Sequence, residues 1–252
     1  MAAHALRQEL ALGHGWVDPF AALRQRGVVL VRHAVKDEGD LDGNYRLVDD
    51  QAFVFVNSSR PAVRQRFTAA HELAHHELDV ASVRANIVDA DVYGVQGTHR
   101  DMNFFAAAFL IDQAGACQMR DEGLAGEALV AATIARFEVS FKAAAIELKY
   151  LHLITTQQYD DLVARHADEE FRVGEFVAQF GHTMPTGPSV SEELDPSFLA
   201  MVKRRYERGG LNLTAVAAAL RTSMQGAQGW LEEAGAKGPV VVQDDGGFYL
   251  PE

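Results

Sequence analysis

The sequence predicts an α+β protein: a small antiparallel sheet packed on one long helix, followed by a mostly helical remainder. Three observations carry this. A β-branched run at Val28–His33 precedes two short strand-like runs, Tyr45–Val48 and Ala52–Val56, joined at Asp49-Asp50-Gln51 as a hairpin. A long stretch with helical periodicity begins at Ser58-Ser59-Arg60-Pro61 and runs to Leu78; serine suits a helix cap and proline the first turn. From Asp101 onward almost every segment repeats its apolar residues at helical spacing.

Taken in order, residues 2–12 read as a short helix ended by Gly13, and Val17–Gln25 as a second stopped by Gly27. After the strands and the long helix, residues 79–98 show no strong period and are broken by Gly94 and Gly97. Asp101–Ile111 is a strongly apolar helix, and Glu127–Phe137, Ser140–Leu151 and Thr156–His166 follow as helices. Gly, Pro and Ser concentrate in Gly181–Pro196, a linker. This divides the chain into an α+β domain at 1–125, a helical extension packed on it at 126–180, and a small C-terminal unit at 197–252. That unit has two or three helices and a closing hairpin, Val240–Gln243 with Phe248–Leu250. Residues 135–150 and 218–233 align without gaps as helix, tight turn with a serine cap, and helix, pairing Phe137 with Leu220 and Ser140 with Ser223. This is a helix-turn-helix pattern, of a kind also common in plain helix packing.

Composition narrows the function. Of 252 residues, 48% are hydrophobic and 23% charged, which excludes a disordered chain. The net charge of −12 excludes a polycation that coats nucleic acid. One cysteine, Cys117, excludes an intramolecular disulfide and a four-cysteine zinc site, and is read as a quiet structural thiol. No window approaches the roughly 20 apolar residues of a membrane span, and the first residues lack the apolar core of a signal peptide. The expectation is a soluble cytoplasmic protein without membrane attachment.

The chemistry lies in His71-Glu72-Leu73-Ala74-His75, an H-E-x-x-H. Histidines four apart stand about 40° apart around a helix and one turn along it, so both imidazoles reach one metal ion. Glu72 can then act as the catalytic general base on a metal-activated water. An apolar stripe of Val63, Phe67, Ala70, Ala74 and Leu78 is expected to hold the helix to the sheet, with His71, Glu72 and His75 beside it at the edge of the core. His76 is expected on the surface. A catalytic zinc needs a third protein ligand and an open position. Asp101 is the favoured third ligand, at the start of an apolar helix that Phe105, Ala108 and Phe109 can pack near the histidines, and His99 is its competitor. One divalent ion per chain is expected, zinc by the donor types, with manganese as the alternative. Tyr93, Arg84 and His99 lie in the chain region from which an oxyanion donor would come, and Tyr93 is the candidate taken forward. Strand Ala52–Val56 is a candidate exposed edge for an extended substrate.

These residues carry a resemblance to the ImmA/IrrE family of bacterial and phage metallo-endopeptidases. It runs through VDPFAALRQRGVVL, LDGNY, FVFVNSSRPAVRQRFTAAHELAHHEL, MNFFAAAFLI and FEVSFKAAAIELKYLHLITTQQYDDL, about residues 16–165. The resemblance implies a zincin-like peptidase fold with a helical extension, and cleavage or control of a helix-turn-helix transcriptional repressor in a stress or mobile-element response. It places His71 and His75 on the family's metal histidines and Glu72 on its catalytic glutamate. The family's third ligand is typically a Glu before A-N-x-F-A-x-x-L-L-M-P. Asp101 stands there, one methylene shorter, and Asp112 replaces the proline that usually closes that helix.

The expected function is therefore a metal-dependent endopeptidase acting on a partner regulatory protein. The alternative is a non-catalytic regulator of the same fold that binds a repressor or antitoxin-like partner. A third class, DNA binding by the C-terminal unit, rests on Lys203, Arg204, Arg205 and Arg208; the acidic total makes weak or no nucleic-acid binding the expectation. That unit is expected instead to recognise protein or gate the site.

Overall fold

A computed structural model describes residues 2–35, 41–48, 51–78, 87–89, 98–184 and 194–238. The chain divides into two compact units, Met1–Glu193 and Leu194–Glu252. The turn Asp49-Asp50, Arg84, Tyr93, most of the expected linker and the expected terminal hairpin lie outside the described residues.

In the first unit, α1 (Ala2–Glu9) precedes α2 (Pro19–Gln25), whose start is fixed by proline in the first turn and by Asp18, which accepts from the Phe20 N–H. Strands β1 (Val29–His33), β2 (Gly43–Val48), β3 (Gln51–Asn57) and β4 (Ile87–Asp89) form a sheet in the order β1-β3-β2-β4. The hairpin forms as expected, with Tyr45 opposite Val54 and Leu47 opposite Ala52. The sheet as a whole is mixed and not antiparallel, because β1 runs parallel to β3. Inward-facing Ala52, Val54 and Val56 of β3 are at most 5% exposed, so the most deeply buried strand takes the centre and separates β1 from β2. β3 is thus hydrogen-bonded on both sides, and the substrate edge expected at Ala52–Val56 does not exist. Short β4, in a region without a readable period, pairs with β2.

The loop after β3 is built by Asn57, which is 2% exposed. Its amide donates to the carbonyls of Val35 and Leu41, and its carbonyl accepts from the N–H groups of Val35 and Ser59. The Ser59 hydroxyl donates to the side-chain oxygen of Asn57. Helix α3 (Ala62–Leu78) starts after Pro61. Fully buried Asp42 holds this end through ion pairs with Arg60 (2.7 Å) and Arg64 (2.5 Å). Every residue from Gln65 to His75 is buried, so α3 is a central helix and not the one-sided helix expected; Leu78, placed in its apolar stripe, is exposed. The sheet covers one flank, while α2 and α4 (Thr98–Leu110) cover others.

The helices that follow are α5 (Gln113–Asp121), α6 (Gly126–Phe137), α7 (Phe141–Tyr150), α8 (Thr156–His166) and α9 (Val173–Gln179). Asp112 caps α5, accepting from the Gly115 N–H, and it faces Arg7 and His14. This capping role explains an aspartate where a closing proline was looked for. Leu129, Phe137, Leu148 and Phe176 share one hydrophobic core with Leu30, Val54 and Phe109. Arg66 of α3 reaches into the α6–α7 turn and donates to the carbonyls of Phe137 and Glu138, and to that of Val17. Burial lowers the affinity of its guanidinium for the proton, partly offset by Glu138 and Asp18.

The second unit contains α10 (Pro196–Glu207), α11 (Leu213–Leu220) and α12 (Met224–Glu233) around Val202, Val216, Ala217, Ala227 and Leu231. The α11–α12 turn repeats the α6–α7 turn position by position. Arg221 and Glu138 both take left-handed backbone (φ 52° and 53°), and Ser223 and Ser140 both accept from the N–H three residues on. Lys203, in the basic run, donates to the carbonyl of Ala234.

Candidate metal centre

His71 and His75 lie one turn apart on α3, both fully buried, with ring centroids 5.0 Å apart. His99 joins them from the first turn of α4: its ring stacks on His71 at 5.7 Å and 7°, and meets His75 edge-on at 5.9 Å. One ring nitrogen from each lies within 4.8 Å of the others. Three nitrogens at about 2.0–2.1 Å from one zinc ion stand roughly 3.3 Å apart. Small side-chain rotations close the difference, and neutral imidazole is an apt zinc donor, so these residues fit the ion.

Asp101 is not brought into this cluster. Helix α4 begins at Thr98, one turn earlier than expected, and two residues along a helix turn the side chain by about 200°. His99 continues the stripe of Met102, Ala106 and Phe109, which are 0–3% exposed and lie on the face packed against α3. Asp101 is exposed on another face. The spacing 99-102-106-109 was readable in the sequence; the helix start was not.

Asn103 was overlooked. Its side-chain oxygen lies 2.9 Å from Nδ1 of His71. An amide oxygen only accepts, so Nδ1 carries the proton and Nε2 keeps the lone pair that can face a metal. Tyr45, 2% exposed, stacks on His75 with centroids 6.5 Å apart. Its hydroxyl lies 3.1 Å from Nδ1 of His76. His76, expected on the surface, is half-buried, and burial lowers its affinity for the proton against the pull of Glu77. Neutral His76 accepts from the Tyr45 hydroxyl, itself held protonated by burial and by Glu77.

Glu72 is fully buried beside this cluster, under β2. A β-carbon on Gly43 would come 2.3 Å from Cγ2 of Thr68 and 2.7 Å from Oε1 of Glu72. Glycine at 43 is what allows the strand to pass this close, which accounts for the LDGNY segment.

No helix among the described residues is long and apolar enough to cross a membrane. No curated protein matches the chain. A family model described as the IrrE N-terminal-like domain, peptidase M78, matches residues 24–149, half of the chain, from α2 to α7. With that match spanning the sheet, the histidine cluster and Glu72, the chain belongs to the IrrE N-terminal-like family of metallopeptidases.

Proposed function

We propose that this protein is a metal-dependent endopeptidase that hydrolyses a peptide bond in a partner regulatory protein. The observation that carries the reading is the meeting of His71, His75 and His99 beside buried Glu72. The three imidazoles would hold one divalent ion, zinc before manganese by donor type. When bound, the ion supplies Lewis acidity to water and to the scissile carbonyl. Asn103 keeps Nε2 of His71 oriented for the ion, and Glu72 takes a proton from the attacking water and delivers it to the leaving amine. A third imidazole in place of a carboxylate adds no negative charge, so the site keeps more of the ion's positive charge for the developing oxyanion.

An extended peptide needs a sheet edge. Among the described strands β3 is internal, whereas β4 borders only β2, and its Asp89 stands opposite Gly43, the residue over Glu72. The outer side of β4 is the edge best placed to receive substrate. A helix-turn-helix repressor remains the proposed substrate, on the resemblance described above. The second reading is a non-catalytic regulator of the same fold that binds a repressor or antitoxin-like partner. The test is elemental analysis of the purified chain followed by incubation with repressors encoded beside its gene. About one zinc per chain and chelator-sensitive cleavage support the proposal; a metal-free, inert protein refutes it.

A further inference from the structure

A cavity of about 200 Å³ lies between α1, α3, α4 and α7, and carries a carboxyl group with no role in the chemistry above. Leu78, Phe104, Phe105 and Tyr150 supply apolar and aromatic walls, and Asp101 and Glu147 also line it. Asp101 and Tyr150 are exposed, so the cavity reaches solvent. Glu147 is 2% exposed, and its Oε2 has no hydrogen-bond partner among the described residues. A buried carboxylate without donors is costly, and folded proteins seldom keep one.

We propose that this cavity is a binding site for a small organic cation carrying an alkylammonium or guanidinium group. Glu147 pairs with the charged head, and Phe104, Phe105 and Tyr150 wall the alkyl part of the ligand; the Arg100 guanidinium, 5.4 Å from the centre of the Phe104 ring, is a resident cation at that wall. The volume suits a compact ligand, since a cavity of roughly 150 Å³ accepts benzene. Burial pushes the Glu147 carboxyl up to about 7, so without a cation it shares its time with a proton, and a bound cation displaces that proton. The other titratable side chains lining the cavity are Asp101 on α4 and Tyr150 on α7; Leu78 of α3 and Ala2 and Ala3 of α1 carry none. This inference is independent of the peptidase reading.

The test is calorimetric titration of the full chain with butylammonium chloride, 1-butanol and sodium butyrate. Butylammonium is expected to bind with Kd on the order of 1 mM, and the alcohol and the acid at least about tenfold more weakly. Glu147→Gln keeps the shape and should erase the preference for the cation, and Ala108→Leu, which fills the cavity, should abolish binding of both. Between pH 5.5 and 8.5 an alkylammonium keeps its charge while Glu147 ionises, so wild-type affinity should rise up to about thirtyfold. This pH series needs no variant. Equal binding of cation and alcohol, a preference that survives Glu147→Gln, or an affinity independent of pH would overturn the proposal.

Discussion

The ring of His99 lies parallel to that of His71, 5.7 Å away, although the two residues belong to different helices. That stack exists because α4 starts at Thr98 and presents His99 on the face that packs against α3. It leads to the sharpest prediction about the metal. His99→Ala should weaken zinc binding by more than about 100-fold, while Asp101→Ala stays near wild type. Elemental analysis after dialysis against a weak chelator checks this; the reverse ranking would return the ligand role to Asp101.

Asn103→Ala should cost about 10- to 100-fold in metal affinity without removing a ligand, because His71 loses the acceptor that fixes its tautomer. Competitive titration with a zinc-sensitive dye reads the change. Unaltered affinity would mean that the contact is only structural.

Glu72→Gln should keep its zinc and lose about 10²- to 10⁴-fold in cleavage rate, since an amide cannot take the proton. Metal content and rate are measured on the same preparation. Wild-type turnover by this variant would assign the base elsewhere.

Gly43→Ala inserts a methyl against Thr68 and Oε1 of Glu72. The expected cost is about 1–3 kcal/mol in denaturant unfolding, with cleavage falling further than stability explains. Gly13→Ala, where a β-carbon meets nothing within 4 Å, is the control.

The Glu147 carboxyl gives stability a pH signature. Its folded value of about 7 lies above the usual 4.5, so the folded state holds the extra proton between those values. Stability therefore falls as pH rises from about 4.5 to about 7 and levels off above, by about 3 kcal/mol in all. Relative to wild type, Glu147→Gln should gain stability over that window. Parallel curves for the two proteins would show that the carboxyl ionises freely in the fold.

Much of this was legible because it is local. The i, i+4 histidines, the β2–β3 hairpin and the caps at Ser140 and Ser223 depend on residues a few positions apart. What escaped depends on distant partners. β3 reaches the sheet centre only when β1 pairs with it, β4 forms on β2 without an apolar period of its own, and His76 is drawn inward by Tyr45 from another element. The structure groups His99, and not Asp101, with His71 and His75, because α4 starts a turn earlier than expected and carries His99 on the helix.

Arg66 adds a consequence for how such a chain can be inherited. Its guanidinium, five residues before His71 and nine before His75, donates to carbonyls at 137 and 138, beyond the sheet and its first helices. Recombination that exchanged the α6–α7 segment for an unrelated helical pair would leave this buried cation, five residues before His71, with the Val17 carbonyl but without those at 137 and 138. The sheet, α3 and the α6–α7 turn thus pack as one unit, and a crossover between α5 and α6 is expected to cost stability.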